Sequence, residues 1–319
     1  MFLAADIGGT KAHLALYDQK EGYKPIKQKK FESKKYPSLE EILQQFLEKE
    51  KIEKACFGIA GPIKEGKCET PNLPWMVEIK KLQNVLQTEN IRLINDLIAN
   101  SYGIEILEEK DFFVVNEGVA IQGGNQAIIS AGTGLGEAGR VFEGKKYLSF
   151  ASEGGHCDFL VRNEEELQLF HYLKQRFTPH VSIERVLSGP GLENIYHYLT
   201  QVQQMTPAQG EQNGSLAKTI SEEGLKKSCA VCVKALEIFM DVYGAEAGNL
   251  ALKFFAVGGV FIGGGIAPKI LQEFKQPRFM KAFISKGRME HVLRDIPVKV
   301  ILNEEAALLG AAYFARHFL

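Results

Sequence analysis

A chain of 319 residues is too long for a single core of ordinary size and predicts two domains. Its 45% apolar and 24% charged residues are ordinary globular proportions, and a net charge of −1 gives no reason to expect nucleic acid or an anionic membrane as partner. Its 31 glycines gather in a few clusters instead of spreading through linkers, a pattern expected where backbone approaches a ligand closely.

Phe2 to Asp6 reads as a strand, Gly8-Gly9-Thr10 as a tight turn, and Lys11 to Asp18 as a second strand, with Ala12, Leu14 and Leu16 alternating against Lys11, His13 and Tyr17. An amphipathic helix follows over Leu39 to Lys49, then a buried strand from Ala55 to Ala60 and a short helix from Glu78 to Leu86. Ile91 to Ile94 is another buried strand. It runs directly into Asn95-Asp96 and a helical pattern containing Leu97, Ile98 and Ile104. Asp96 can be read as a helix cap. It also lies at the carboxyl end of a buried strand, where open α/β sheets place their ligands.

Strands are predicted over Phe112 to Asn116 and Gln126 to Ser130, with a hairpin from Arg140 to Phe150 turning at Glu143-Gly144. Helices follow over Glu164 to Arg176, briefly after Ser182, and from Pro190. Thr206 to Gly214 reads as a surface loop. Glu222 to about Phe254 reads as one long helical stretch broken near Gly244 or Gly248. A strand from Val257 to Ile262 ends in Gly263-Gly264-Gly265. A last strand, Val298 to Leu302, precedes Asn303 as a cap for a helix from Glu304 to Phe314.

No export signal is expected, since Met1 to Ala5 lack a basic leader and Asp6 ends the apolar run. The apolar segment Phe254 to Ala267 is too short and glycine-rich to span a bilayer. Five cysteines suit a reducing cytosol, so a cytoplasmic location is expected. Cys229 and Cys232 lie in a helical apolar pattern and read as core residues, not as a redox or zinc pair.

The strand, Gly-Thr turn and strand at the start of the chain recur around Gly132-Thr133, 123 positions after Gly9-Thr10. That is too long a period for a solenoid and suggests two lobes of related design. Two such turns make a plausible polyphosphate clamp, because glycine exposes backbone N–H groups and threonine adds a hydroxyl. Gly61 to Cys68 falls one residue short of a Walker A loop, with Cys68 where Ser or Thr must hold magnesium. Gly134, Gly136 and Gly139 match dinucleotide and protein-kinase glycine spacings, but the context required by either is missing.

Polar side chains gather at Asn72, Glu153, His156 and Glu184, several on glycine turns. A sugar ring presents hydroxyls that both donate and accept, so its site needs convergent carboxylates, amides and imidazole. Each residue taken singly also fits a surface charge or a satisfied loop position.

Asp6-Ile7-Gly8-Gly9-Thr10, Asn95-Asp96-Leu97, Ala131 to Gly136, Glu153 to Phe159, Glu184 to Leu192 and Gly263 to Pro268 occur in the order of the bacterial glucokinase family. The resemblance covers nearly the whole chain and is to the zinc-free group. It implies an α/β hexokinase/actin-type ATPase fold with two ribonuclease-H-like lobes and a central cleft. The small domain would be 1–106 plus 302–319, and the large domain 107–301.

The same resemblance implies ATP-dependent phosphorylation of glucose at its 6-hydroxyl, with Asp96 as catalytic base. Asn72, Asn95, Asp96, Glu153, His156 and Glu184 would bind the sugar. ATP would meet Asp6, Gly8, Gly9, Thr10, Gly132, Thr133, Gly134, Gly264 and Gly265, with Mg2+ as cofactor and no protein metal site. A homodimer is expected from the family. Lys11 departs from the Asn found in many members, and only Cys157 stands where the zinc-binding sister family has a cysteine cluster. Kinases for mannose or N-acetylglucosamine, or a non-catalytic regulator of the same fold, are the alternatives.

Overall fold

The computed structural model describes residues 1–70, 73–208 and 215–319. They form two units: Met1–Asp111 with Ser149–Ala151 and Asn303–Leu319, and Phe112–Leu148 with Ser152–Leu302.

The first unit is centred on β1 (Phe2–Ile7), apolar on both faces because layers of side chains cover it from both sides. Antiparallel β2 (Lys11–Tyr17) and then β3 (Pro25–Glu32) lie on one side of it. Parallel β4 (Lys54–Ile59) lies on the other. A separate small antiparallel sheet holds β5 (Ile63–Lys64), β6 (Lys67–Glu69) and β7 (Met76–Glu78). The main sheet ends with β8 (Ile91–Asn95), parallel to β4, giving the order β3-β2-β1-β4-β8.

Side chains alternate across a strand. Leu3, Ala5 and Ile7 accordingly share one core with residues of α1 (Leu39–Phe46) and α2 (Ile79–Leu86). Phe2 and Ala4 share another with α3 (Asp96–Gly103) and the helix Ala306–Phe318. By the same alternation Asp6 belongs to the face that α3 covers. These two helices meet closely because glycine gives clearance: a Cβ on Gly310 would overlap the Ala99 carbonyl, and one on Gly103 the Ala306 carbonyl.

The second unit repeats the design. The strands of its sheet are β9 (Phe112–Asn116), β10 (Gln126–Ala131), β11 (Leu135–Phe142), β12 (Tyr147–Ser152, of which Ser149–Ala151 group with the first unit), β13 (Gly259–Gly263) and β14 (Val298–Ile301). The order is β12-β11-β10-β13-β14-β9, with β10 antiparallel to β11, parallel to β13, and β13 parallel to β14. Only β9, antiparallel to β14 at the edge, has no counterpart in the first sheet. The helices are α4 (Glu164–Arg176), α5 (Gly189–Gln201), α6 (Leu216–Leu225), α7 (Ala230–Phe254), α8 (Leu271–Phe274), α9 (Pro277–Ile284) and α10 (Glu290–Asp295). Among the described residues no helix is long and apolar enough to cross a membrane.

Several elements depart from the sequence reading. The helix expected from Glu222 to Phe254 is two helices, and the break falls at 226–229, where Lys227 adopts a left-handed φ of 57°. Gly244 and Gly248 do not interrupt α7. They provide room for α9, since a Cβ at either would overlap the carbonyl of Phe279 or Phe283. The helix expected to reach Lys49 stops at Phe46, and the Glu50 carboxylate takes the N–H groups of Glu48 and Lys49 at 2.6 and 3.0 Å. Asn303 accepts the Glu305 N–H at 2.8 Å, and the helix begins only at Ala306.

The Walker-like run is a β5–β6 hairpin turning through positive φ at Glu65 and Gly66, and the glycine spacing from Gly134 lies along β11. Cys232 is buried, as the core reading expects, while Cys229 sits at the start of α7. Of the loop Thr206 to Gly214, residues 209–214 lie outside the described residues, as does Asn72.

Candidate active site

In the first unit the parallel strands β1, β4 and β8 end level with one another, Ile7 beside Ile59 and Ile59 beside Asn95. Asn95 and Asp96 therefore stand at the carboxyl end of the sheet. The cap belongs to Asn95, whose Oδ1 accepts the Leu97 N–H at 2.9 Å, while Asp96 opens α3 as its first residue. Asp96 Oδ1 also accepts that N–H, at 2.9 Å. The Asn95 amide donates to the Gly61 carbonyl at 3.5 Å. A helix start is favourable for an anion, which holds Asp96 in place as a carboxylate.

Burial raises the Asp96 pKa above the ordinary carboxylate value, against lowering by the Leu97 and Asp96 N–H groups and the Asn95 side chain. Asp6 is pushed up to about 6, chiefly by burial and further by the negative charge of Asp96. A buried carboxylate whose ionisation is disfavoured by a second carboxylate makes a place where a cation or a proton is welcome.

Gly8-Gly9-Thr10 is the tip of the β1–β2 hairpin, closed by the Gly8 N–H donating to the Lys11 carbonyl at 2.9 Å. Ser33 braces it from behind, its hydroxyl donating to the Gly8 carbonyl at 2.9 Å and its N–H to the Thr10 carbonyl at 3.0 Å. Sequence reasoning missed Ser33, since nothing local marks a buried serine beyond an edge strand as a brace. Thr10 is exposed at the tip.

In the second unit Gly132-Thr133-Gly134 is the tip of the β10–β11 hairpin, closed by the Gly132 N–H on the Gly134 carbonyl at 2.8 Å. The Gly189 N–H, opening α5, donates to the Gly132 carbonyl at 2.8 Å. Glu184 Oε2 accepts the Leu135 N–H at 2.9 Å, and a Cβ on Gly134 would come within 2.7 Å of that oxygen. Glu184 is thus anchored to the second Gly-Thr turn. Gly264 joins the same region: with φ +85°, it lies against Ala131, where a Cβ would not fit, whereas Gly265 faces open space.

Glu153 precedes a single turn of 3-10 helix, Gly154–His156, and the side chains of Glu153 and His156 are exposed with Oε2 and Nε2 3.9 Å apart. The loops bearing His156 and Glu184 are zipped together. The Ile183 N–H donates to the Cys157 carbonyl at 2.8 Å, and the Phe159 N–H to the Val181 carbonyl at 3.0 Å. Glu153, His156 and Glu184 therefore share one region, with His180 beside it, 2.8 Å from the His156 carbonyl and 3.0 Å from Asp158. His180 and the buried Glu137 beneath Gly154 are further residues that the sequence patterns did not single out.

Hairpin tips on two sheets of one design, with a carboxylate opening the helix after the last parallel strand of the first, match the hexokinase/actin-type fold of sugar kinases. The glucokinase from an Antarctic psychrotroph has a closely similar structure, with a TM-score of 0.86, 32% identity and 98% of each chain covered. The glucokinase of Balamuthia mandrillaris, solved in complex with glucose, shares the fold at a TM-score of 0.82, 20% identity, and 99% and 93% coverage.

The glucokinase family model matches residues 3–318, and the chain belongs to that family. It is 40% identical to the glucokinase of Nostoc sp., covering 99% of this chain and 98% of the relative. It is 38% identical to that of an Escherichia coli strain, with 99% and 97% covered.

Proposed function

We propose that this chain transfers the γ-phosphoryl group of ATP to the 6-hydroxyl of glucose, with Asp96 as the base that accepts the hydroxyl proton. The observation that carries this reading is Asp96 itself: a largely buried carboxylate of raised pKa, fixed at the start of α3 beside Asp6. A general base works best when its pKa approaches the operating pH, and burial moves Asp96 that way, while the N–H groups at the start of α3 keep its ionised form accessible.

Phosphoryl transfer depends mainly on positioning and on stabilising charge. The tips Gly8-Gly9-Thr10 and Gly132-Thr133-Gly134 would hold phosphates through backbone N–H groups and threonine hydroxyls. Gly264-Gly265 would face the adenosine, where Gly265 leaves open space. Glucose would meet Asn72, Asn95, Asp96, Glu153, His156 and Glu184. The small domain (1–106 plus 302–319) would supply the first of these phosphate tips and the large domain (107–301) the second.

Among the described residues no three His, Cys, Asp or Glu converge on a metal cage. Magnesium needs none, because it usually binds through one or two carboxylates and the substrate phosphates. Asp6 fits that requirement, being buried, raised in pKa and adjacent to the first phosphate turn. Magnesium held there would neutralise phosphate charge.

Five free cysteines support a reducing, cytoplasmic setting, and a homodimer accords with the family. Light scattering on the purified chain tests the dimer. The activity is tested by a coupled ADP assay over glucose, mannose and N-acetylglucosamine. Glucose should give the highest kcat/KM, and no turnover with any sugar would sink the proposal.

A further inference from the structure

Glu137 stands on β11 opposite Ile129 of β10 and is 1% exposed. Among the described residues no donor reaches its Oε1. A buried carboxylate oxygen left without a donor is costly, so such a group calls for a physical reason. Its other oxygen lies against Gly154, so close that a Cβ on Gly154 would overlap the carboxyl group. Gly155 is equally tight on the Leu135 carbonyl. The turn bearing Glu153 and His156 thus rests on β11 through its two glycines, and the Glu137 carboxyl is the surface beneath the first.

The charged groups facing Glu137 come from α7. Glu246 raises its proton affinity and Lys253 lowers it, while burial exceeds both and the carboxyl is pushed up to about 7. Neither α7 residue is free to serve it. Lys253 is drawn to Glu246 at 3.4 Å, and Asn249 donates to Glu246 at 2.9 Å. On the turn side, the Gly154 N–H is taken by the Ser152 hydroxyl at 3.0 Å. On β11 itself, Arg140 is engaged by Gln126.

We propose that Glu137 is a positioning residue for the sugar site, seating Gly154 as the neutral acid and loosening the Glu153–His156 turn when it ionises. The ionised form needs donors that the dry contact does not supply, and opening the Gly154 contact admits water to provide them. Glucose affinity then falls as pH rises through neutrality. The idea rests on the reading of Glu153 and His156 as sugar ligands.

The test is calorimetric glucose binding without nucleotide, from about pH 6 to about pH 8.5, a range that spans the titration. Wild type should lose affinity by about tenfold across the range, as expected for a coupling of about one pKa unit. E137Q, a permanently neutral isostere, should keep the low-pH affinity throughout. E137A, which removes the seat, should bind about tenfold more weakly at every pH, with KM for ATP unchanged. A pH dependence in E137Q equal to that of wild type overturns the role of Glu137 alone. Failure of wild type to bind glucose at all overturns the sugar-turn reading as well.

Discussion

The Asp96 carboxylate raises the proton affinity of Asp6, a residue far from it in sequence, because α3 begins on the face of β1 to which Asp6 belongs. The two carboxylates belong to one electrostatic unit and make opposite demands. Asp96 must be ionised to act as a base, while Asp6 is easier to bury when protonated or beside a cation.

Replacing Asp96 with Asn should lower kcat by ~10²–10⁴-fold, the usual contribution of a positioned base. Glucose affinity should change by only a few-fold, since the amide keeps the shape and can still occupy the start of α3. Steady-state kinetics and calorimetry on the same preparation check both halves. Near wild-type turnover would remove Asp96 from the role given to it.

The acid limb of the kcat profile should lie above the ordinary carboxylate range, because burial raises the Asp96 pKa. Activity is present above that pKa and is lost as pH falls through it. A profile flat down to the ordinary carboxylate value of 3.8 would contradict the burial argument.

Stability should respond to Asp6 in the opposite direction. Its pKa is raised in the folded protein, from 3.8 to about 6, so the folded state holds the proton more tightly than the unfolded chain. Stability is therefore greatest at low pH from this group and is lost between 3.8 and about 6. Asp6→Asn should stabilise the magnesium-free protein at neutral pH by ~1–3 kcal/mol while impairing nucleotide use. Thermal unfolding with chelator, against a kinetic assay, tests the pair of effects.

Gly244→Ala sets two principles against each other. Helix propensity alone favours alanine by ~1 kcal/mol. The overlap with the Phe279 carbonyl costs ~1–3 kcal/mol and should win, because backbone cannot swing aside as a side-chain tip can. A variant melting higher than wild type would show that α9 yields more easily than this packing suggests.

Ser33→Ala removes the hydroxyl that braces the first turn. One hydrogen bond is worth ~0.5–1.5 kcal/mol, so KM for ATP should rise by about 2–12-fold with glucose binding preserved. An unchanged KM would mean the tip holds its shape without the brace.

The sequence made the apolar core strands and the amphipathic helices legible because their periodicity is set by burial. The helix read over Glu164 to Arg176 falls at those bounds, and the structure shows Asn163 capping it. The edge strand β3 was hidden, since a strand paired on one side and rich in exposed lysine carries little alternation. Gly244 and Gly248 look like helix breaks in isolation, and only the approach of α9 reveals them as clearance. At the candidate site the motifs located Asp96 and the two hairpin tips, but not what supports them. Ser33 and Glu137 make their contacts with residues away from them in sequence, and no local spacing records those.

The helix Ala306–Phe318 lies against α3 and shares its core with β1, yet it is made after the whole second unit. During synthesis, the helix that begins at Asp96 must wait for its support until that long insertion has left the ribosome. Domains otherwise tend to fold in the order they emerge. The nascent first unit therefore keeps one face of its sheet uncovered until the helix Ala306–Phe318 is made, and Asp96 gains the support of that helix only then.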